Sequence, residues 1–168
     1  IACICMSFYD SNQVYYLDLQ KGIKELITNS KFLLKKLLLS SDVTLNVYDT
    51  REHLKILELA EIQDLSNINA KIFDPRLCSW IMDPDNILSW QEAVTKFTPD
   101  SNKILEFGIK YKTSSSLGLN LKNSVEPKIR SSVECYLTNK IKKSQIQSIA
   151  STPKLLKVLE NLEMPIQK

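Results

Sequence analysis

Glycine is scarce in this chain, at 3 of 168 residues. Phosphate-cradling loops of the Walker and dinucleotide types place several glycines within a few positions so that the backbone can approach the phosphate, and such loops are all but excluded here. Histidine is scarcer: His53 stands alone, and no Cys, Ser or Asp is tied to it by catalytic spacing. It reads as a helix-surface residue. The four cysteines, Cys3, Cys5, Cys78 and Cys135, fit no zinc or redox spacing. Cys3 and Cys5 share one face of a strand, where cysteine behaves as a small hydrophobe. Reduced thiols in an intracellular protein are expected, and a disulfide stays open. A membrane span needs ~20 apolar residues, and the most apolar run, residues 32–39, is interrupted by Lys35 and Lys36. Repeats and low-complexity tracts are absent. The opening IACICMSF has neither an initiator Met nor a basic leader. It reads as a strand, so the chain is expected to be part of a longer polypeptide.

What remains is the composition of one globular domain. Hydrophobic residues make up 43% and charged residues 24%, with a net charge of +3. A domain of this length buries roughly 70% of the surface its unfolded chain exposes. The mild positive charge permits an anionic partner without requiring one.

Residues 1–8 and 13–19 are β-prone around the turn signal Asp10-Ser11-Asn12, which predicts a hairpin. A helix is expected over 30–39, a strand over 43–48, and a helix over 49–59. Asp49 and Glu52 are spaced as a capping box at the start of that second helix. Ser89-Trp90-Gln91-Glu92 repeats the capping-box pattern and opens a helix toward Phe97. Residues 98–123 show little periodicity, with a polar stretch at 112–116. A longer helix fits 124–142, with Ile129, Val133, Tyr136 and Leu137 on one side. Thr152-Pro153 opens a last helix through Leu159. Early hairpin strands followed by alternating strands and helices predict an α/β fold, a mixed sheet flanked by helices.

The most specific stretch is KIFDPRLCSWIMDPD, residues 71–85. A short strand meets Asp74, a natural N-cap, and Pro75, suited to the first helical position. Leu77, Trp80 and Ile81 fall on one helical face, and Asp83-Pro84-Asp85 stops the helix. Asp83 and Asp85 read as residues of a solvated turn. Trp80 and Trp90 read as core.

This passage resembles one in the exonuclease-like domain of family-A DNA polymerases, most closely the theta type, with the nu type the nearest competitor. IACICMSFYDSNQVYYLDLQKG resembles the second and third strands of that domain, and NVYDTREHLKIL stands where its second metal motif lies. SLGLN (116–120), RSSVECYL (130–137) and LENLEMPIQK follow in order. The resemblance implies a ribonuclease-H-like 3′–5′ exonuclease fold with the first strand upstream of Ile1. It further implies a domain over residues 1–163, and over 164–168 the start of a junction to a polymerase domain.

Active members of this nuclease family hold two divalent metals on four carboxylates. The Asp-x-Glu strand would precede Ile1. The alignment sets His53 at the second motif's aspartate, and a neutral imidazole is a poor substitute for a hard oxygen ligand. Ile129 and Val133 stand at the Tyr and Asp positions of the last motif and read as core. Glu134 is adjacent but turned about 100° away on a helix. No catalytic or metal residue is therefore expected, and no cofactor for this domain. The parent is expected to be a Mg²⁺-dependent DNA polymerase acting in end-joining repair of double-strand breaks in the nucleus, without proofreading. The expected partner is the polymerase domain of the same polypeptide, with DNA touched weakly at Lys140, Lys142 and Lys143. No aromatic residues interleave with these lysines in sequence, so a solvated helix end is the plainer reading. Two alternatives stand beside this one. The first is an active metal-dependent 3′–5′ exonuclease, its first motif upstream and Glu134 completing the site. The second is a protein-interaction scaffold.

Overall fold

A computed structural model describes residues 3–20, 24–60, 68–101, 126–159 and 161. The expected hairpin forms: β1 (Cys3–Met6) pairs antiparallel with β2 (Tyr15–Asp18), Cys3 opposite Asp18 and Met6 opposite Tyr15. Helix α1 (Lys24–Leu39) follows. It begins before the expected start at residue 30, because Ser30 does not cap it. Ser30 is buried within the helix, and its hydroxyl donates back to the Leu26 carbonyl at 2.7 Å. The strand β3 (Thr44–Asn46) leads through α2 (Thr50–Leu59) to β4 (Lys71–Phe73), which lies parallel to β3. Parallel neighbours require such a crossover. Among the described residues the strands form two separate two-stranded sheets flanked by helices, a mixed α/β arrangement.

Helix α3 (Pro75–Met82) stops at Asp83 as expected, and Asp74 caps its start. Trp80 corrects the expected core: it is 41% exposed. The buried stripe of α3 is instead Pro75, Cys78 and Ser79, with Ile81 beside it. Small side chains there admit a close neighbour, and the large indole is left on the outside. Helix α4 (Trp90–Phe97) has the full capping box. Ser89 Oγ accepts from the Glu92 amide, and Glu92 Oε2 accepts from the Ser89 amide at 2.7 Å. Trp90 is fully buried, and its Nε1–H donates to Thr138 Oγ1 at 3.0 Å.

The longest element is α5 (Pro127–Ile149), which runs past the expected end at residue 142. Leu137, Ile141, Gln145 and Ile149 recur every fourth residue and are all buried. The glutamine, together with the lysine run just before it, hides this stripe in the sequence. Gln145 Nε2–H donates to the Pro75 carbonyl and to Ser79 Oγ, each at 2.8 Å, which ties α5 to α3. Ile129 also departs from the core reading: it is 51% exposed in the first turn, while Val133 is half-buried against the α4 cluster. Helix α6 (Pro153–Val158) closes the described chain.

Three apolar clusters result. One joins Tyr48, Trp90, Ala93 and Val94 to Leu137 and Ile141. A second joins Phe73, Cys78 and Ile81 to Ile149 and Leu159. The third packs Leu38, Leu54, Ile68, Ala70 and Ile72 between α1, α2 and β4. Helix α5 spans the first two. No helix among the described residues is long and apolar enough to cross a membrane. The SLGLN segment, the polar stretch at 112–116 and the junction at 164–168 lie outside the described residues.

Candidate functional site

Parallel pairing sets the carboxyl ends of β3 and β4 side by side, the usual position of functional groups in such sheets. Two buried aspartates meet there. Asp74 directly follows β4, and its carboxylate serves both neighbouring helices. Oδ1 accepts from the Asp49 and Arg76 amides at 3.0 and 2.9 Å, and Oδ2 from the Thr50 amide at 2.7 Å. One side chain thus satisfies amides that open α2 and α3.

Asp49 does not cap its own helix as the spacing predicts. Its backbone is left-handed (φ 59°) and its carboxylate makes no capping bond. The left-handed turn sends that carboxylate to the Arg76 guanidinium, with which it forms a buried-to-surface ion pair. Glu52, the other half of the expected box, pairs with Lys55 instead, at 2.6 Å. Tyr48, between Asn46 and Asp49, is buried and donates its hydroxyl to the Leu88 carbonyl at 2.9 Å. Burial pushes its phenol well above the ordinary range, although the nearby Arg76 charge opposes the shift.

The other residues singled out in the sequence do not join this pair. His53 is exposed on the first turn of α2, and its Nδ1–H donates to the Asp49 carbonyl at 3.2 Å. Glu134 pairs with Arg130 at 3.1 Å. Asp83 accepts from Lys96 at 3.1 Å and from Asn86, which hold its carboxyl below the usual range; Asp85 is exposed. Among the described residues no group of three or more His, Cys, Asp or Glu side chains is arranged to hold a metal. The donors at the strand ends do not fit a pair of divalent ions. One carboxylate is committed to three amides and the other to a guanidinium.

The lysines of α5 divide. Lys140 and Lys142 point about 200° apart on the helix. Lys140 lies over the Tyr136 ring at 5.3 Å. Lys142 lies 5.0 Å from both the Tyr9 and Phe73 ring centroids, and burial lowers its amine pKa. Lys143 is exposed. No aromatic residue interleaves with these lysines in sequence, but rings distant in sequence reach Lys142 through the hairpin and β4.

The thiols are free and sit in polar company. Cys3 Sγ lies 3.5 Å from Ser131 Oγ, Cys5 Sγ 3.8 Å from Ser132 Oγ, and Cys135 Sγ 3.7 Å from Ser7 Oγ. Burial pushes the Cys5 thiol up to about 11 and the Cys78 thiol up to about 12, far from a reactive thiolate.

Sequence reasoning missed Arg76. Its place two residues after the shared cap, at the mouth of a parallel strand pair, was the available signal. Comparison with known proteins adds the decisive observation. No family model matches the chain. Over 133 residues, 78% of its length, the chain is 30% identical to DNA polymerase theta of Drosophila melanogaster. The chain is related to DNA polymerase theta. The match spans 6% of that polymerase.

Proposed function

We propose that this chain is the exonuclease-like domain of a theta-type DNA polymerase and that it has exchanged nuclease chemistry for a structural role. The observation that carries the reading is the commitment of both strand-end carboxylates. Asp49 is neutralised by Arg76 and Asp74 is saturated by backbone amides. A two-metal nuclease needs free carboxylates for its cations, and the positions that the resemblance aligns with two of its ligands carry His53 and Val133 instead.

The arrangement of the half-sheets supports a ribonuclease-H-like fold whose first strand is supplied from upstream of Ile1. Asn139 of α5 donates to Ser7, just after β1, and its Oδ1 accepts from Asn46 Nδ2 at 2.7 Å at the end of β3. Both strands therefore end against the same helix residue without pairing with each other. Among the described residues Asn46 Oδ1 is buried with no hydrogen-bond partner. A strand seated between β1 and β3 would unite the two sheets.

In this reading residues 1–163 brace the polymerase domain that follows the junction at 164–168. The parent is a nuclear, Mg²⁺-dependent polymerase of double-strand-break end joining, without proofreading, and this domain touches DNA weakly through Lys140, Lys142 and Lys143. Titration of the chain with Mn²⁺ or Mg²⁺, followed by calorimetry, is expected to give no paired-metal binding. Tight binding of two ions that Asp49→Asn abolishes would favour an active 3′–5′ exonuclease instead.

A further inference from the structure

The hairpin turns one face to α5 through Cys3, Cys5 and Ser7. Its other face and tip carry large side chains into solvent: Phe8 is 72% exposed and Tyr15 52%, with Met6 and Tyr9 also exposed. The Phe8 and Tyr15 rings meet edge-on, their centroids 6.0 Å apart. The Ser11 amide closes the tip on the Phe8 carbonyl at 3.0 Å, which holds the rings on a fixed turn. Exposed aromatic rings so concentrated on ten residues are unusual for a solvated surface.

A cation lies beside them. Lys142 reaches the Tyr9 ring from α5, and exposed Lys143 follows it, turned about 100° around the helix toward solvent. No ion pair among the described residues involves Lys142. Its charge is half-desolvated with only ring faces as compensation, so an arriving anion gains more there than at a fully hydrated lysine. Asp10, exposed at the tip, opposes this attraction with one charge.

Rings offered for stacking next to amines offered for phosphates are the two components of a single-strand nucleic-acid surface. We infer that the hairpin tip and the middle of α5 bind single-stranded nucleic acid, with Phe8, Tyr9 and Tyr15 stacking bases and Lys142 and Lys143 holding the backbone. The inference deepens the weak DNA contact proposed above and rests on it for the choice of partner. Lys140 lies outside this surface.

Fluorescence anisotropy of the chain with a labelled oligothymidylate of about 16 nucleotides reads the binding directly. Phe8→Ala and Tyr15→Ala are each expected to weaken it by about 5-fold or more, since stacking contributes roughly 1–3 kcal/mol per base. Lys143→Gln is expected to weaken it and reduce the salt slope by roughly 0.7. All three side chains are exposed, so unchanged melting temperatures would exclude misfolding as the cause. The inference is overturned if the single strand does not bind, if duplex binds equally well, or if the ring variants bind like the parent chain. It is equally overturned if sedimentation shows a dimer that Phe8→Ala dissolves, since a second copy would then be the occupant. Failure here leaves the proposed loss of nuclease chemistry standing, and metal-dependent cleavage would sink that reading without touching this one.

Discussion

Asp74 is the residue on which the site turns. Its carboxylate accepts three amides from two helices while almost wholly buried. Removing it strands those donors, and each unsatisfied buried group costs about 1–3 kcal/mol. Asp74→Ala is therefore expected to lose about 3 kcal/mol or more, read as a lower urea midpoint at unchanged slope. Asp49 and Arg76 form the second test at this scale. Arg76→Ala leaves a buried carboxylate without its counter-charge. Because the Arg76 side chain is 35% exposed, solvent screens part of the loss, and about 1–3 kcal/mol is expected. Combining Arg76→Ala with Asp49→Asn should recover part of it, since Asn tolerates the left-handed turn and carries no charge. A double-mutant cycle measures that coupling. The cap at Asp74 was legible in the sequence because an Asp-Pro pair has a local meaning. The ion pair was not, because it joins residues 27 positions apart through strand register.

At the scale of elements, helices with local start signals were the most legible. The capping box at Ser89 and Glu92 forms as its spacing predicts. Its bonds hold the Glu92 carboxyl below its ordinary value of 4.5. A depressed acid contributes stability above the unfolded-state pKa and loses it as pH falls through the folded one. Stability should therefore fall on acidification from about pH 5 downward, and Glu92→Gln should flatten that fall in acid-titrated thermal melts. Helix α5 was legible only in part. Its stripe continues through Gln145, a polar residue whose Nε2–H group donates to α3, and periodicity alone ended the helix early. The same helix contrasts Ile129, which the sequence reading placed in the core, with Ile141, which it did not single out. Ile141→Ala, fully buried, is expected to cost about 2–5 kcal/mol. Ile129→Ala, half-exposed, should stay within about 0.5 kcal/mol, and chemical denaturation of the pair checks the contrast.

For the whole molecule, α5 is the organising beam. It packs against the hairpin, β3, α3 and α4, and joins two of the three apolar clusters. The mixed α/β class followed from the order of strand and helix signals. The division into two small sheets did not, because pairing across a gap has no local sequence mark. Relatedness to DNA polymerase theta and the engaged carboxylates together give the molecule its proposed role as a nuclease-like support. The loss of cutting is the claim with the most direct test. The chain, extended upstream to include the proposed first strand, is incubated with a 5′-labelled single strand and Mg²⁺ or Mn²⁺, and the products are resolved by length. The strand is expected to stay full length. Stepwise shortening from the 3′ end, abolished by Asp49→Ala, would contradict it.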